Sequence, residues 1–203
     1  MDTDKYDGLN NTIAYYNDNA IAYFESSIDI DMSHLYAPFL EQLPNRAKIL
    51  DAGCGSGRDS KYFMQNGHAV IAFDASLSLA RLASQYTGIQ VEHNTFETIN
   101  YSDEFDGIWA CASLLHLNPR RLRLSLITLE KACKNNGVIY TSFKTSMMKS
   151  NDDREFHLYK IRDLESIIAL LPNLSVQRYW YTEDALDRAS TKWLNVILEV
   201  QKQ

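Results

Sequence analysis

Apolar residues recur along this chain in two periods, and the switches between them mark out its elements. The run KILDAG (48–53) is short and apolar, with β-branched Ile49, and reads as a strand. SGRDSKYFMQNG (56–67) takes helical spacing and closes on Gly67. AVIAFD (69–74) is a second strand, and SLSLARLASQYTG (76–88) is a helix capped by Ser76 and ended near Gly88. IQVEHNT (89–95) predicts a third strand. FDGIWACAS (105–113) predicts a fourth, almost continuously apolar, as a strand buried on both faces should be. A long helix is predicted over 118–137, with Asn118 as its cap, Pro119 in its first turn and Gly137 as its stop. VIYTSFK (138–144) is a fifth strand, and IRDLESIIALLP (161–172) a further helix. SVQRYWYTE (175–183) and WLNVILEVQ (193–201) are two closing strands. Ahead of all these, residues 12–43 carry Tyr15, Tyr16, Tyr23, Phe24, Tyr36 and Phe39 and read as two helices.

Strands alternating with helices predict an α/β fold, a mostly parallel sheet covered on both faces. The last two strands follow one another without a strong helix between them, so an antiparallel hairpin should close one edge. Composition changes this picture little. The chain has 203 residues, 45% hydrophobic and 23% charged, an ordinary balance for a globular protein of one domain. The formal net charge of −6 argues against non-specific binding to nucleic acid or to an anionic membrane. Cys54, Cys111 and Cys133 are odd in number and far apart, with no metal-ligand spacing. A reduced, cytoplasmic protein without a bound metal is the expectation. The polar, acidic start MDTDKYDGLNN does not read as a secretory signal, and no run is apolar enough to span a membrane.

The chemistry enters with KILDAGCGSGRDS (48–60). In parallel sheets, ligands bind beyond the carboxyl ends of the strands. Gly53, Gly55 and Gly57 give G-x-G-x-G, and Arg58 stands where a dinucleotide fingerprint has its third glycine. No lysine follows at the Walker position, so neither phosphate-binding pattern fits. Asp51 puts a carboxylate beside the ligand, which is unfavourable next to a pyrophosphate and favourable next to an ammonium. Asp74, at the end of the second strand, suits the hydroxyls of a ribose. A ribose diol with an amino-acid tail and no phosphate describes S-adenosylmethionine (SAM).

ILDAGCGSG followed by AFDAS resembles motif I and the acidic second-strand end of class I SAM-dependent methyltransferases. The resemblance spans about Ala47 to Lys144. Within that class, EFDGIWACASLLHL and YTSFK are similar to small bacterial methyltransferases of the tellurite-resistance type. The resemblance implies a Rossmann-like class I methyltransferase fold with a seven-stranded sheet. It implies one domain, with residues 1–44 as an N-terminal helical lid and 45–203 as the core. It implies cofactor contacts from Asp51, Gly53, Cys54, Gly55, Gly57, Arg58, Asp74, Ala75, Thr95, Phe96, Ala110 and Cys111. Arg58 would meet the cofactor carboxylate, and Thr95 and Phe96 the adenine, although no aspartate stands at Asn94 or Thr95 as in many members. S-adenosylhomocysteine (SAH) would be the product.

Near the methyl group, Tyr15, Tyr16 and His116 are the candidate catalytic residues, and His116, Lys144 and Arg154 the candidate acceptor contacts. No base is unmistakable in the sequence, which favours an acceptor that brings its own lone pair, such as a thiolate or an oxyanion. The acceptor is expected to be a small molecule, and the protein a monomer or homodimer. Three rivals stand beside this: an RNA methyltransferase, a protein methyltransferase, and a SAM-binding sensor or partner subunit without turnover. CASLL (111–115) stands where enzymes acting on exocyclic amino groups of nucleic acids carry [DNS]PP[YFW].

Overall fold

The structure is a computed structural model and describes residues 8–146, 153–185 and 191–202. The first seven residues of the predicted lid lie outside the described residues. Seven strands form one sheet: β1 (Lys48–Ala52), β2 (Ala69–Asp74), β3 (Glu92–His93), β4 (Phe105–Ala110), β5 (Cys133–Ser146), β6 (Leu174–Glu183) and β7 (Lys192–Val200). Their order is β3-β2-β1-β4-β5-β7-β6. β1 pairs in parallel with β2 on one side and β4 on the other, so the strand order reverses beside it. β7 runs antiparallel to both β5 and β6, giving the predicted edge hairpin. Seven α-helices accompany the sheet among the described residues: α1 (Leu9–Asp18), α2 (Ala20–Ser27), α3 (Ser33–Leu40), α4 (Arg58–Gln65), α5 (Leu77–Thr87), α6 (Pro119–Ala132) and α7 (Ile161–Ile168). None is long and apolar enough to cross a membrane.

The predicted caps form. Ser76 Oγ accepts from the Leu79 amide at 3.2 Å, and Asn118 Oδ1 accepts from the Arg121 amide at 3.0 Å. Several boundaries differ from the sequence reading, among them the helix predicted to 172, which ends at Ile168, and the strand predicted to 113, which ends at Ala110. The lid region holds three helices instead of two. Asn19 interrupts the first pair, its side chain donating back to the Tyr15 carbonyl at 2.9 Å. The third strand shrinks to Glu92–His93, because the Val91 amide is taken by Ser84 Oγ at 2.9 Å and the chain turns after His93. The long helix ends at Ala132, and 133–137 belong to β5 instead, with an irregularity at Asn136, whose φ is +62°. Cys133, fully buried, pairs with Phe105 of β4. Gly137 is therefore no helix stop. It keeps a strand irregularity tight, since a Cβ there would sit 2.6 Å from Cys133 Sγ and 2.9 Å from the Asp106 carbonyl oxygen.

The apolar core lies on both faces of the sheet. Leu50, Ile108, Ile139 and Val196 meet α6 on one face. On the other, α3 packs Tyr36 and Phe39 against Phe63, Trp109 and Tyr140. Trp109 and Tyr140 stack with ring centroids 3.9 Å apart and planes 12° off parallel. Each such aromatic pair adds about 0.5–1.5 kcal/mol beyond its buried area, so the strand ends that carry the site rest on a stiff aromatic layer.

Candidate active site

A cavity of about 430 Å³ opens beyond the carboxyl ends of β1, β2 and β4 and is roofed by α1 and α2. The glycine loop forms its floor. The Gly53 and Cys54 amides both donate to the Phe73 carbonyl of β2, at 2.9 and 3.0 Å, which ties the turn to the neighbouring strand. Gly53 has φ +78°, and a Cβ there would come within 2.6 Å of Ser113 Cβ from the loop after β4. At Gly55 a Cβ would fill the space under the Tyr23 ring, 3.2 Å away. Glycine is thus required by both the backbone conformation and the close approach of other elements. Gly57 stands behind the loop, against Ala83 and Thr87 of α5.

Of the sequence-predicted residues, Gly53, Cys54, Gly55, Arg58, Asp74, Ala75, Thr95, Phe96 and Cys111 line the cavity. So do Tyr15, Tyr16, His116, Lys144 and Arg154. Asp51, Gly57 and Ala110 do not line it. Asp74 accepts from the Gly55 amide at 2.8 Å through one oxygen and from the Ser76 amide at 2.8 Å through the other. Its burial raises its pKa above the ordinary carboxylate range.

Asp59 is a site residue that the sequence reading missed. Tyr36 Oη donates to it at 2.6 Å, Trp109 Nε1 at 2.8 Å and Arg58 Nε at 2.6 Å. Burial works to raise its pKa, but the Arg58 charge and these hydrogen bonds outweigh that and hold it below the usual range. Asp59 is therefore the ionised partner of Arg58. Asp51, 2% exposed, accepts from Ser60 Oγ at 2.6 Å. Burial, with the Asp59 charge beside it, pushes the Asp51 carboxyl up to about 8. The signal that would have found Asp59 is its place next to Arg58 in the first turn of α4. Asn17 was also missed. It accepts from Ser76 Oγ at 2.8 Å and from the Ser78 amide at 3.2 Å, docking α1 on the start of α5.

The far half of the cavity is aromatic and cationic. Arg154 lies over the rings of Tyr15 and Phe156, its Cζ at 4.6 and 5.1 Å from their centroids. Lys144 Nζ lies 4.0 Å from the Phe156 centroid. His116 Nδ1 is 2.6 Å from the Glu155 carbonyl oxygen, and its Nε2 is 3.2 Å from the Tyr16 hydroxyl. Burial depresses the His116 pKa to about 4, with Arg154, Lys144 and His157 adding to the effect against the Glu155 hydrogen bond. Cys111 touches Ser142 Oγ at 3.7 Å, and burial pushes its thiol up to about 12, so it is no ready nucleophile. Among the described residues no group of three or more His, Cys, Asp or Glu could hold a metal ion.

These features fit an adenosyl amino acid. A floor without Cβ atoms lets a ligand lie on the backbone, Asp74 offers a carboxylate at the second-strand end, and Phe96 offers a ring at the third. Residues 49–137 match the methyltransferase domain family. An uncharacterized methyltransferase of Staphylococcus carnosus is 23% identical over 82% of this chain and 80% of its own. Among solved structures, the Burkholderia thailandensis 1,6-didemethyltoxoflavin-N1-methyltransferase with bound SAH superposes with a TM-score of 0.76 at 18% identity, covering 100% of this chain and 94% of that one. The magnesium protoporphyrin IX methyltransferase of Synechocystis PCC 6803 with bound SAM gives 0.72 at 16% identity, covering 100% of both. The domain match, the relatives and the sheet order all support a class I SAM-dependent methyltransferase.

Proposed function

We propose that this enzyme methylates a small-molecule acceptor. The observation that carries this reading is that the glycine-loop floor and the Tyr16–His116–Lys144 end belong to one cavity of about 430 Å³ beneath α1 and α2. That is the size and enclosure of a small-ligand site. A roof of two helices favours an acceptor that enters whole over a polymer threaded through. The solved relative crystallised with 1,6-didemethyltoxoflavin, a small molecule, is consistent with it.

In this reading Asp74 holds the ribose, and Gly53, Cys54, Gly55, Gly57 and Ala75 form the cradle. Arg58 faces the amino-acid tail with Asp51 behind it, Ala110 and Cys111 lie beneath the sulfur, and Thr95 and Phe96 border the adenine. The bound cofactor supplies an activated methyl group and a neutral leaving group. The protein's share is alignment of the acceptor and exclusion of water. Lys144, Arg154 and His116 line the acceptor end, and Tyr15 and Tyr16 close it. Residues 1–44 act as the lid of one domain whose core is 45–203, working in the cytoplasm as a monomer or homodimer.

Calorimetric titration with SAM and SAH, followed by methyl-transfer assays on pooled metabolites, RNA and protein, tests this. Transfer to a metabolite pool alone is the expected result. Transfer to RNA or protein alone overturns it. Tight SAM binding with no transfer to thiols, oxyanions, amines or polymers assigns the chain to the sensors instead.

A further inference from the structure

The Tyr16–His116 pair has a direction built into it. A backbone carbonyl can only accept, so the 2.6 Å contact with the Glu155 oxygen places the His116 proton on Nδ1. Nε2 then carries a lone pair, and the Tyr16 hydroxyl, 3.2 Å away, donates to it. Tyr16 and His116 both line the cavity, and they lie 100 residues apart in sequence. The phenol proton is committed to His116, so the Tyr16 oxygen offers its lone pairs elsewhere. Arg154 lies beside the same ring, its Cζ 5.7 Å from the centroid, and a phenol oxygen accepts as well as donates. What the pair presents to an acceptor molecule is thus a proton-accepting oxygen backed by an imidazole.

Resting on the methyltransferase reading above, we propose that Tyr16 takes the proton from an aromatic amine or ring N–H acceptor as it is methylated and passes its own proton to His116. The nitrogen lone pair forms the N–CH₃ bond as the S–CH₃ bond breaks, and that bond's electron pair stays on the departing sulfur. The N–H proton moves to the Tyr16 oxygen, and the phenol proton moves to Nε2. The positive charge that began on sulfur ends on the imidazolium, which gives its proton to solvent once the cavity opens. Tyr16 is the catalytic residue here, and His116 acts through it as a positioning and relay residue.

The surroundings choose the class of acceptor. Arg154, Lys144 and His157 act electrostatically on His116, and Arg154, Asp74 and Tyr15 on Tyr16. Burial above all, with the Arg154 and Lys144 charges adding to it, makes the imidazole a weak base. A weak base takes a proton readily from a nitrogen that has just gained a fourth bond, because that nitrogen has become acidic. It does little for a neutral alcohol, and a thiolate or oxyanion has no proton to give. Phe156 and Trp193 flank Lys144 at this end of the cavity, so the rings that border an acceptor here also hold its cation.

Two measurements test the proposal, and the first needs no acceptor. Nitrogen-15 spectra of the histidine rings should show His116 neutral and protonated on Nδ1 from pH 8 down to about pH 5. A ring protonated on Nε2, or an imidazolium at pH 7, overturns the relay. The second is methyl transfer by the full chain to panels of arylamines and N–H heterocycles, thiols, and selenium or tellurium oxyanions. Nitrogen acceptors should be used, and Tyr16→Phe, which keeps the ring packing, should lower kcat about 100-fold or more with SAM affinity unchanged. His116→Gln should lower kcat as well and remove the acid limb of its pH profile, which a merely structural role would not do. A panel in which no nitrogen acceptor is methylated, or Tyr16→Phe with wild-type kcat, overturns the proposal. Failure to bind SAM at all would instead overturn the methyltransferase reading on which it rests.

Discussion

SAM binding at pH 7 should release most of one proton, and Asp51 should be its source. In the unliganded protein this carboxyl is buried, accepts from Ser60 Oγ at 2.6 Å, and is pushed up to about 8 by burial and by the neighbouring Asp59 charge. Asp59 cannot relieve it by taking the proton, because Arg58, Tyr36 and Trp109 all donate to its oxygens. A group titrating near 8 is about nine-tenths protonated at pH 7. The cofactor's ammonium, brought to this end of the cavity, favours the carboxylate and drives ionisation. The ligand's own α-amino group titrates near 7.7–8.0 in water, so fixing it as an ammonium takes up about 0.1 proton. The net release is on the order of half a proton to one proton per SAM. Calorimetric titration in phosphate and in Tris, which differ widely in ionisation heat, reads it as the dependence of the apparent enthalpy on buffer. Asp51→Asn keeps an oxygen for Ser60 but has nothing to ionise, so its net release should turn into a small uptake. Equal enthalpies in the two buffers for the wild type, or a release that survives in Asp51→Asn, would refute the placement of the ammonium against Asp51.

Asp74→Asn should weaken SAM binding about 10-fold or more, the scale of a lost charge-assisted hydrogen bond, and should also lower the urea midpoint, because one of the Gly55 and Ser76 amides loses its acceptor; unchanged SAM affinity in the folded variant would sink the ribose assignment. Gly53→Ala should cost about 2 kcal/mol or more, from the left-handed backbone at φ +78° and a Cβ held 2.6 Å from that of Ser113, and a urea melt showing under about 0.5 kcal/mol would contradict the close approach. His116 has a folded pKa of about 4 against 6.5 when unfolded, so its contribution is complete above pH 6.5 and is lost as pH falls toward 4. The stability difference between wild type and His116→Gln should therefore shrink by about 3 kcal/mol between pH 7 and pH 4. Taking the difference matters, because the raised Asp51 carboxyl works in the opposite sense over the same range. A difference independent of pH would mean that His116 is not held neutral.

Where local chemistry decided the structure, the sequence was enough. Ser76 and Asn118 sit at helix starts and cap them through their own side chains, and such caps act within three residues. The alternation of strands and helices gave the parallel half of the sheet, and the absence of a helix between the last two strands gave the antiparallel edge. The boundaries that shifted depend on distant partners. Residues 133–137 follow a helix in sequence but join β5 because Cys133 pairs with Phe105, which no local propensity reports. Gln90 and Val91 read as strand, yet a hydroxyl on α5 takes the Val91 amide before a neighbouring strand can.

The site divides along the same line. The glycine loop was legible because a left-handed turn writes itself into sequence as glycine at fixed spacing, and Asp74 because a strand end is a local feature. The charge states were not. Whether Asp51 carries a proton depends on Asp59, and whether Asp59 can lose its own depends on Tyr36 and Trp109, 23 and 50 residues away on α3 and β4. Tyr16 and His116 were legible as candidates near the methyl group, but their pairing was hidden for the same reason, since they lie 100 residues apart. Only folding brings the hydroxyl to Nε2 and a carbonyl to Nδ1, and it is the carbonyl, a group that every residue carries, that fixes which way the proton can run.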